Sequence, residues 1–279
     1  MQIQFIDVGG IRTRCLTAGM PGSYPLVLLH GYGGTADVWI RNIDALADEF
    51  HVIAVDMISS GFTDPVDTGG RPPQPHAVAH LRALADKLGL GRFCAAGTSY
   101  GGLIAALLWF DMPDRVDKLI LQGSGSAFNE DEALAATLRN VKKNFGPLMS
   151  APTIEGVRAS VAKQVFDAST IPEEMVHVMA TAYALPWMRS AWEQGIDGLL
   201  DIAACKPYRV LDRLEQMDVD TLVPWGREDP GALYASAVAA VKRMPRARLV
   251  TFEKCGHKPM YEHTARFNSE VRAFLKERK

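Results

Sequence analysis

Gly97-Thr98-Ser99-Tyr100-Gly101 is the stretch of this sequence that decides the fold, because its Gly-x-Ser-x-Gly spacing falls between two apolar runs. The run at residues 93–96 is typical of a strand, and the run at 103–108 is typical of a helix. Strand, sharp turn and helix form the setting in which this motif exposes a nucleophilic serine. We therefore predict a strained turn at Ser99, in which a side chain at position 97 or 101 would collide with the neighbouring strand or helix.

Short apolar runs alternate with helical patterns on both sides of this motif. The predicted strands are an opening hairpin at 2–7 and 11–18, then buried runs at 26–29, 52–55, 93–96, 119–121, 221–225 and 247–252. The predicted helices between and after them lie at 77–88, 103–110, 232–244 and 264–276. This order predicts an α/β fold with a mostly parallel sheet flanked by helices on both faces.

Residues 125–208 interrupt the alternation, because β-type runs nearly vanish there. Helical patterns at 155–166, 172–184 and 188–195 replace them. Prolines predict breaks between helices at Pro147, Pro152, Pro172, Pro186 and Pro207. We predict that residues 125–208 form a helical lid inserted into a core that consists of residues 1–124 and 209–279.

Composition narrows the class of protein. The chain has 279 residues, 48% of them hydrophobic, which is enough for a large core. A net charge of −2 without a basic stripe argues against nucleic acid and anionic membrane as partners. The chain shows no secretory signal pattern and no apolar run of roughly 18 residues. The four cysteines are widely separated, which predicts buried apolar side chains, no metal site and a cytoplasmic location: Cys15, Cys94, Cys205 and Cys255.

Two residues near the C-terminus complete a candidate catalytic group with Ser99. A serine hydroxyl is a poor nucleophile at neutral pH and needs a base within hydrogen-bond reach. His257 follows the last predicted strand and Asp229 follows the strand before it, so both fall at the carboxyl edge of the sheet, where catalytic groups gather. We predict that His257 is the base and that Asp229 fixes its tautomer and stabilises the imidazolium. The chain order Ser, Asp, His is the order expected for this architecture.

A glycine-rich loop, His30-Gly31-Tyr32-Gly33-Gly34, follows the predicted strand at 26–29. Such a loop lets backbone N–H groups approach an incoming carbonyl oxygen. We predict that the N–H groups of Tyr32 and Tyr100 form the oxyanion hole. Gly31 and Gly33 are predicted to contact substrate.

Several nearby polar residues have other predicted roles. Glu228 is a rival to Asp229 for the acid position. No acid follows the strand ending at Gln122, where Gly123 stands, so that alternative position is empty. His30 is predicted to order its loop without taking part in the chemistry. Asp56 is predicted to be structural.

These residues resemble the α/β-hydrolase family along nearly the whole chain, most strongly at residues 30–34, 97–102, 225–229 and 256–257. The resemblance implies an eight-stranded, mostly parallel sheet, a helical lid after the sixth strand, and no cofactor. Lid segments 152–158, 165–169 and 172–176 are similar to those of meta-cleavage product hydrolases. Those enzymes split a carbon–carbon bond in vinylogous diketones made during bacterial aromatic degradation.

The chain departs from that narrower group at three positions. Thr98 stands where the group usually has Asn before the nucleophile, and Lys258 stands where it usually has Trp after the catalytic histidine. Gly33-Gly34-Thr35 replaces a frequent Gly-Pro-Gly in the oxyanion loop. The missing Asn and Trp would alter how a dienoate is held.

The sequence thus predicts a serine hydrolase that acts on a small carbonyl substrate, with carbon–carbon cleavage of a vinylogous diketone as the first interpretation. A carboxylesterase acting on small esters and a ligand-binding regulator with residual hydrolase activity are the alternatives. Aromatic and basic side chains in the lid are predicted substrate contacts: Trp187, Arg189 and Trp192. The sequence leaves open whether the chain forms a homo-oligomer.

Overall fold

An eight-stranded sheet forms the centre of the structure, which is a computed structural model describing residues 1–277. The strands are β1 (Gln2–Val8), β2 (Ile11–Ala18), β3 (Pro25–Leu29), β4 (His51–Val55), β5 (Phe93–Thr98), β6 (Val116–Gln122), β7 (Asp220–Gly226) and β8 (Ala247–Phe252). Their order in the sheet is β1-β2-β4-β3-β5-β6-β7-β8. Only the pairs β1–β2 and β2–β4 are antiparallel. The predicted mostly parallel α/β sheet is confirmed.

Helices flank this sheet in the regions before residue 124 and after residue 209. They are α1 (Ile43–Leu46), α2 (Gln74–Lys87), α3 (Tyr100–Asp111), α10 (Tyr234–Arg243), α11 (Pro259–Glu262) and α12 (Thr264–Lys276). Every residue of β5 is buried, and α3 packs against both β5 and β6. A strand buried on both faces has a continuous apolar run in place of an alternating pattern, and the run at 93–96 located β5. All four cysteines are buried and unbridged.

The connection from β6 to β7 is made of helices, as predicted. They are α4 (Gly125–Phe128), α5 (Asp131–Ser150), α6 (Ile154–Ala162), α7 (Glu173–Tyr183), α8 (Met188–Leu200) and α9 (Ile202–Cys205). We call residues 125–208 the helical insert. Within residues 1–277, no helix combines the length and the apolar character that crossing a membrane requires.

Three details of the insert differ from the prediction. The helix predicted at 188–195 continues to Leu200. The break predicted at Pro147 is wrong, because α5 continues through it to Ser150. So close to the helix end, a proline removes only one backbone hydrogen bond and leaves little helix to disrupt. The helix predicted at 155–166 ends at Ala162 instead, and the chain then turns toward the sheet edge, where Gln164 O accepts a hydrogen bond from His257 N.

A buried ion cluster joins the loops beside the carboxyl end of β4. Arg14 binds Asp37 through two nitrogens, at 2.7 and 3.0 Å, and its Nη1 lies 3.1 Å from Asp56 Oδ2. Asp56 is fully buried and also accepts hydrogen bonds from Ala36 N and Phe62 N. The carboxylate therefore ties three separate segments together, in agreement with the structural role predicted for it.

Asp56→Ala tests this cluster. Removing one partner of a buried ion pair leaves uncompensated charge, so we expect the free energy of unfolding to fall by about 3–5 kcal/mol. Denaturant unfolding followed by circular dichroism measures the change. Asp114 is exposed, so Asp114→Ala is the matched control, with an expected change within about 0.5 kcal/mol. A loss below about 1 kcal/mol for Asp56→Ala would contradict the argument.

Candidate active site

Ser99 occupies a tight turn between β5 and α3, with φ of 55° and ψ of −119°. A Cβ atom at Gly97 would lie 2.2 Å from the backbone of Gly101, and one at Gly101 would lie 2.4 Å from His30 O. Positive φ is rare for residues other than glycine, asparagine and aspartate, so the turn is strained. The prediction that side chains at 97 and 101 would collide with a neighbouring element is confirmed.

Asp229 and His257 form a direct pair on the same edge of the sheet. His257 Nδ1 lies 2.6 Å from Asp229 Oδ2, and the Asp229 side chain is fully buried. The other oxygen, Oδ1, accepts hydrogen bonds from Gly231 N at 2.9 Å and Ala232 N at 2.8 Å. With Nδ1–H donating to this fixed carboxylate, Nε2 is left free to accept a proton.

The rival acid, Glu228, has a different partner. Its Oε2 accepts a hydrogen bond from Cys255 N at 2.9 Å, which holds the loop that leads into His257. Asp229, not Glu228, faces the imidazole. The position after β6 disfavours any side chain, an acid included: a Cβ at Gly123 would lie 3.1 Å from the His257 ring, and Gly123 has φ of 53°.

The backbone of His257 is held from two sides by residues that the sequence analysis did not single out. Gln122 Nε2, at the end of β6, donates to His257 O at 3.0 Å, and His257 N donates to Gln164 O at 2.6 Å. Gln164 belongs to the helical insert. No local pattern marks these glutamines, because each acts through a contact that is distant in sequence.

The glycine-rich loop lies against the nucleophile candidate. A Cβ at Gly31 would approach Ser99 Cβ to 3.3 Å, so a side chain there would push the loop and Ser99 apart by a few tenths of an ångström. Within residues 1–277, neither Tyr32 N nor Tyr100 N donates a hydrogen bond to the protein. Both N–H groups are thus available to an oxygen beside Ser99.

His30 orders this loop, as predicted. Its Nδ1 donates to Gly31 O at 2.7 Å, and its Nε2 accepts from Met57 N at 2.9 Å. Burial lowers the pKa of His30, so the ring stays neutral.

Two aromatic residues of the helical insert, Tyr183 and Trp192, form hydrogen bonds with the glycine-rich loop. Tyr183 donates its hydroxyl to Gly33 O at 2.6 Å, and the Tyr32 hydroxyl donates to Trp192 O at 2.5 Å. The Tyr32 ring also packs against the Trp192 ring at a centroid distance of 5.8 Å. Burial raises the pKa of Tyr32, so its hydroxyl stays a donor.

A cavity of about 340 Å³ separates the sheet edge from the helical insert. The sheet side is lined by residues predicted for catalysis, oxyanion binding and substrate contact: Ser99, Asp229, His257, Tyr32, Tyr100 and Gly31. Helix α5 lines the cavity with apolar side chains at helical spacing: Leu134, Leu138, Val141 and Phe145. The spacing of these four residues was a readable signal for a helix, but only the tertiary structure shows what they face.

The structure does not bring the predicted lid contacts to this cavity. Arg189 lies on an exposed face of α8, paired with Glu193 at 3.0 Å. Trp192 packs on the glycine-rich loop, and Trp187 is half-buried just before α8. Among the described residues that line the cavity, none of these three side chains is found. Gly33 lines a smaller adjoining pocket.

Lys258 lines the cavity directly after His257, although its side chain is only 8% exposed. Burial lowers the pKa of Lys258 to about 8, against the opposing influence of Asp229 and Glu262. No group of three His, Cys, Asp or Glu side chains suited to a metal ion occurs among residues 1–277.

Comparisons with known proteins agree with this architecture. A 2-hydroxy-6-oxononadienedioate/2-hydroxy-6-oxononatrienedioate hydrolase from Burkholderia vietnamiensis strain G4 is 33% identical over 91% of this chain and 88% of its own. A solved variant of the meta-cleavage product hydrolase CumD, from Pseudomonas fluorescens IP01, is 26% identical with a TM-score of 0.81, covering 99% of this chain and 98% of that one.

A solved 2-hydroxy-6-oxo-6-phenylhexa-2,4-dienoate hydrolase from Rhodococcus sp. strain RHA1 is 25% identical with a TM-score of 0.81, covering 99% and 100% of the two chains. The sequence profile of the alpha/beta hydrolase family matches residues 26–270. With the strand order, the serine turn and this match in agreement, the chain is a member of the alpha/beta hydrolase family.

Proposed function

We propose that this protein is a serine hydrolase that cleaves a carbon–carbon bond in a vinylogous diketone of the meta-cleavage product type. The observation that carries the proposal is the 33% identity to a 2-hydroxy-6-oxononadienedioate hydrolase across 91% of the chain, helical insert included. The geometry supports the chemistry, because the Asp229–His257 pair and Ser99 line one cavity.

In the proposed mechanism, His257 Nε2 takes the proton of Ser99 Oγ, or of a water beside it, as the oxygen attacks the substrate carbonyl. The carbonyl oxygen becomes an oxyanion that accepts hydrogen bonds from Tyr32 N and Tyr100 N. The carbonyl then re-forms as the carbon–carbon bond next to it breaks, its electron pair goes to the leaving carbon, and His257 returns the proton there. Asp229 stabilises the imidazolium between these two steps. On the route in which Ser99 attacks, His257 next takes a proton from a water that attacks the acyl–serine ester, and it returns that proton to Ser99 Oγ as the acid leaves.

The leaving group explains why a vinylogous diketone is a suitable substrate. A simple carbanion is a poor leaving group, but one conjugated through a double bond to a second carbonyl spreads its charge onto oxygen. An ester needs no such conjugation, because an alkoxide leaves directly. The same residues therefore serve both reactions, and the substrate decides between them.

The remaining predictions fit this proposal. Residues 125–208 act as the lid of a core made of residues 1–124 and 209–279, with the cavity between them. The substrate is a small molecule, and the reaction uses no cofactor. We place the enzyme in the cytoplasm, and its assembly into homo-oligomers stays open.

Ser99→Ala tests the nucleophile. On the route in which Ser99 Oγ attacks, we expect turnover of a dienol diketone and of p-nitrophenyl butyrate to fall by at least about 10⁴-fold, because the attacking hydroxyl is gone. Absorbance of the coloured dienol and release of p-nitrophenol report the two reactions. Ser269 is exposed on α12, and Ser269→Ala is the control expected to match the wild-type chain. Turnover of Ser99→Ala at the wild-type level would contradict the assignment.

The wild-type chain separates the candidate functions in the same assay. Dienol disappearance far faster than ester turnover supports carbon–carbon cleavage. Ester turnover alone would replace the proposal with a carboxylesterase. Tight capture of the dienol with negligible multiple turnover would favour a ligand-binding regulator.

Gly123→Ala tests how closely the His257 ring is held. The new Cβ would sit 3.1 Å from the ring, so we expect kcat/KM to fall by about 10–100-fold as the imidazole is displaced. Gly89→Ala is the matched control, since Gly89 has a similar φ of 62° but open space around it. Both variants should lose about 1–2 kcal/mol of stability, and only Gly123→Ala should lose activity. Equal kcat/KM values in the two variants would refute the packing argument.

A further inference from the structure

A buried cation in the cavity has no counterion in the protein. Within residues 1–277, Lys258 Nζ forms no hydrogen bond and lies within 4.0 Å of no carboxylate. Lysine is rarely this buried without a partner, because its ammonium gives up part of its hydration and has no protein group to replace it. The side chain lines both the main cavity and the smaller pocket beside Gly33 and Gly34.

The two acids whose charges influence Lys258, Asp229 and Glu262, are already hydrogen-bonded to other groups. Asp229 binds His257 through one oxygen and two backbone N–H groups through the other. Glu262 accepts hydrogen bonds from the backbone N–H groups of Phe166, Gly256 and Lys258 itself. His30 also interacts with Lys258, but burial lowers its pKa and keeps the ring neutral, so it is not a counterion. The Lys258 ammonium can therefore donate hydrogen bonds to an anion that enters the cavity.

The other cations that line the cavity differ from Lys258. Arg209 donates to the carbonyl oxygens of Ser126 and Asn129, and its Nε lies 3.0 Å from Asp131 Oδ1. Lys163 is exposed, with its Nζ 3.4 Å from Asn144 Oδ1. Only Lys258, among the described residues, is a buried cation of this cavity that lacks a partner.

We propose that the Lys258 ammonium binds a substrate carboxylate, so that the enzyme selects planar unsaturated carboxylates over neutral carbonyl compounds. This inference deepens the proposed function and rests on its site. Lys258 and His257 line the same cavity as the apolar side chains of α5, so a molecule whose carboxylate meets Nζ can place its carbon chain in the cavity that also holds the imidazole. A charge-assisted hydrogen bond in a partly desolvated cavity gives both affinity and discrimination.

Isothermal titration with sorbate, a planar dienoate, tests the proposal without any turnover. Hexa-2,4-dien-1-ol is the neutral ligand of the same shape. We expect Lys258→Met to weaken sorbate binding about 10–100-fold and to leave binding of the alcohol within about twofold. Lys258→Arg, which keeps a charge, should retain most of the sorbate affinity. Lys242 is exposed on α10, and Lys242→Met should bind as the wild-type chain does.

The pH dependence of sorbate affinity is a second test, because a lysine with only a structural role would not affect it. Since the pKa of Lys258 is about 8, sorbate affinity should fall as pH rises through that value and the ammonium loses its proton. The fall should vanish in Lys258→Met and move to higher pH in Lys258→Arg, whose guanidinium stays charged.

Three results would overturn the inference: no measurable sorbate binding by the wild-type chain, equal sorbate affinity in Lys258→Met, or an unchanged pH profile. Thermal unfolding controls for folding, and Lys258→Met should melt no lower than the wild-type chain, because it removes an uncompensated buried charge. If Lys258→Met does not fold, Lys258→Gln takes its place in every comparison. Because the titration measures binding directly, its result does not depend on whether the dienol assay shows carbon–carbon cleavage.

Discussion

The backbone of Ser99 is the constraint on which the rest of the site depends. Its φ of 55° costs of order 1–3 kcal/mol, and this strain persists only because the surroundings determine it. Ser99 N donates to Gln122 O at 2.8 Å, and Ser99 O accepts from Ser124 Oγ at 2.7 Å. The absence of side chains at Gly97 and Gly101 lets β5, α3 and the end of β3 approach closely enough to make the turn. The serine side chain is thereby directed to the edge where the other groups gather.

The site is assembled jointly by the sheet and the helical insert. Gln122 from the sheet and Gln164 from the insert hold the backbone of His257 from opposite sides. In the same way, Tyr183 fixes the glycine-rich loop through Gly33 O. A movement of the insert would therefore change the positions of His257 and of the glycine-rich loop together. The insert is a structural partner of the proposed catalytic groups as well as a wall of the cavity.

Sequence reasoning succeeded where one local pattern carries the physical cause. The serine turn, the alternating strands and the helical character of the insert all follow from spacing and residue type. It failed at Pro147, because the cost of a proline depends on how near the helix end it lies. Arg189 was expected near substrate on its charge alone, yet it pairs with Glu193 at the surface. Helical periodicity says which residues share a face, but not what that face meets.

The sequence by itself determined the fold class, the serine turn and the chain order of Ser99, Asp229 and His257, since these depend on backbone sterics and on short-range apolar periodicity. Only the tertiary structure decided that Asp229, not Glu228, meets the imidazole, because the two acids are adjacent and differ only in direction. It alone also revealed that Lys258 is buried without a counterion. Burial and pairing are set by segments far apart in the chain, and no local pattern encodes them.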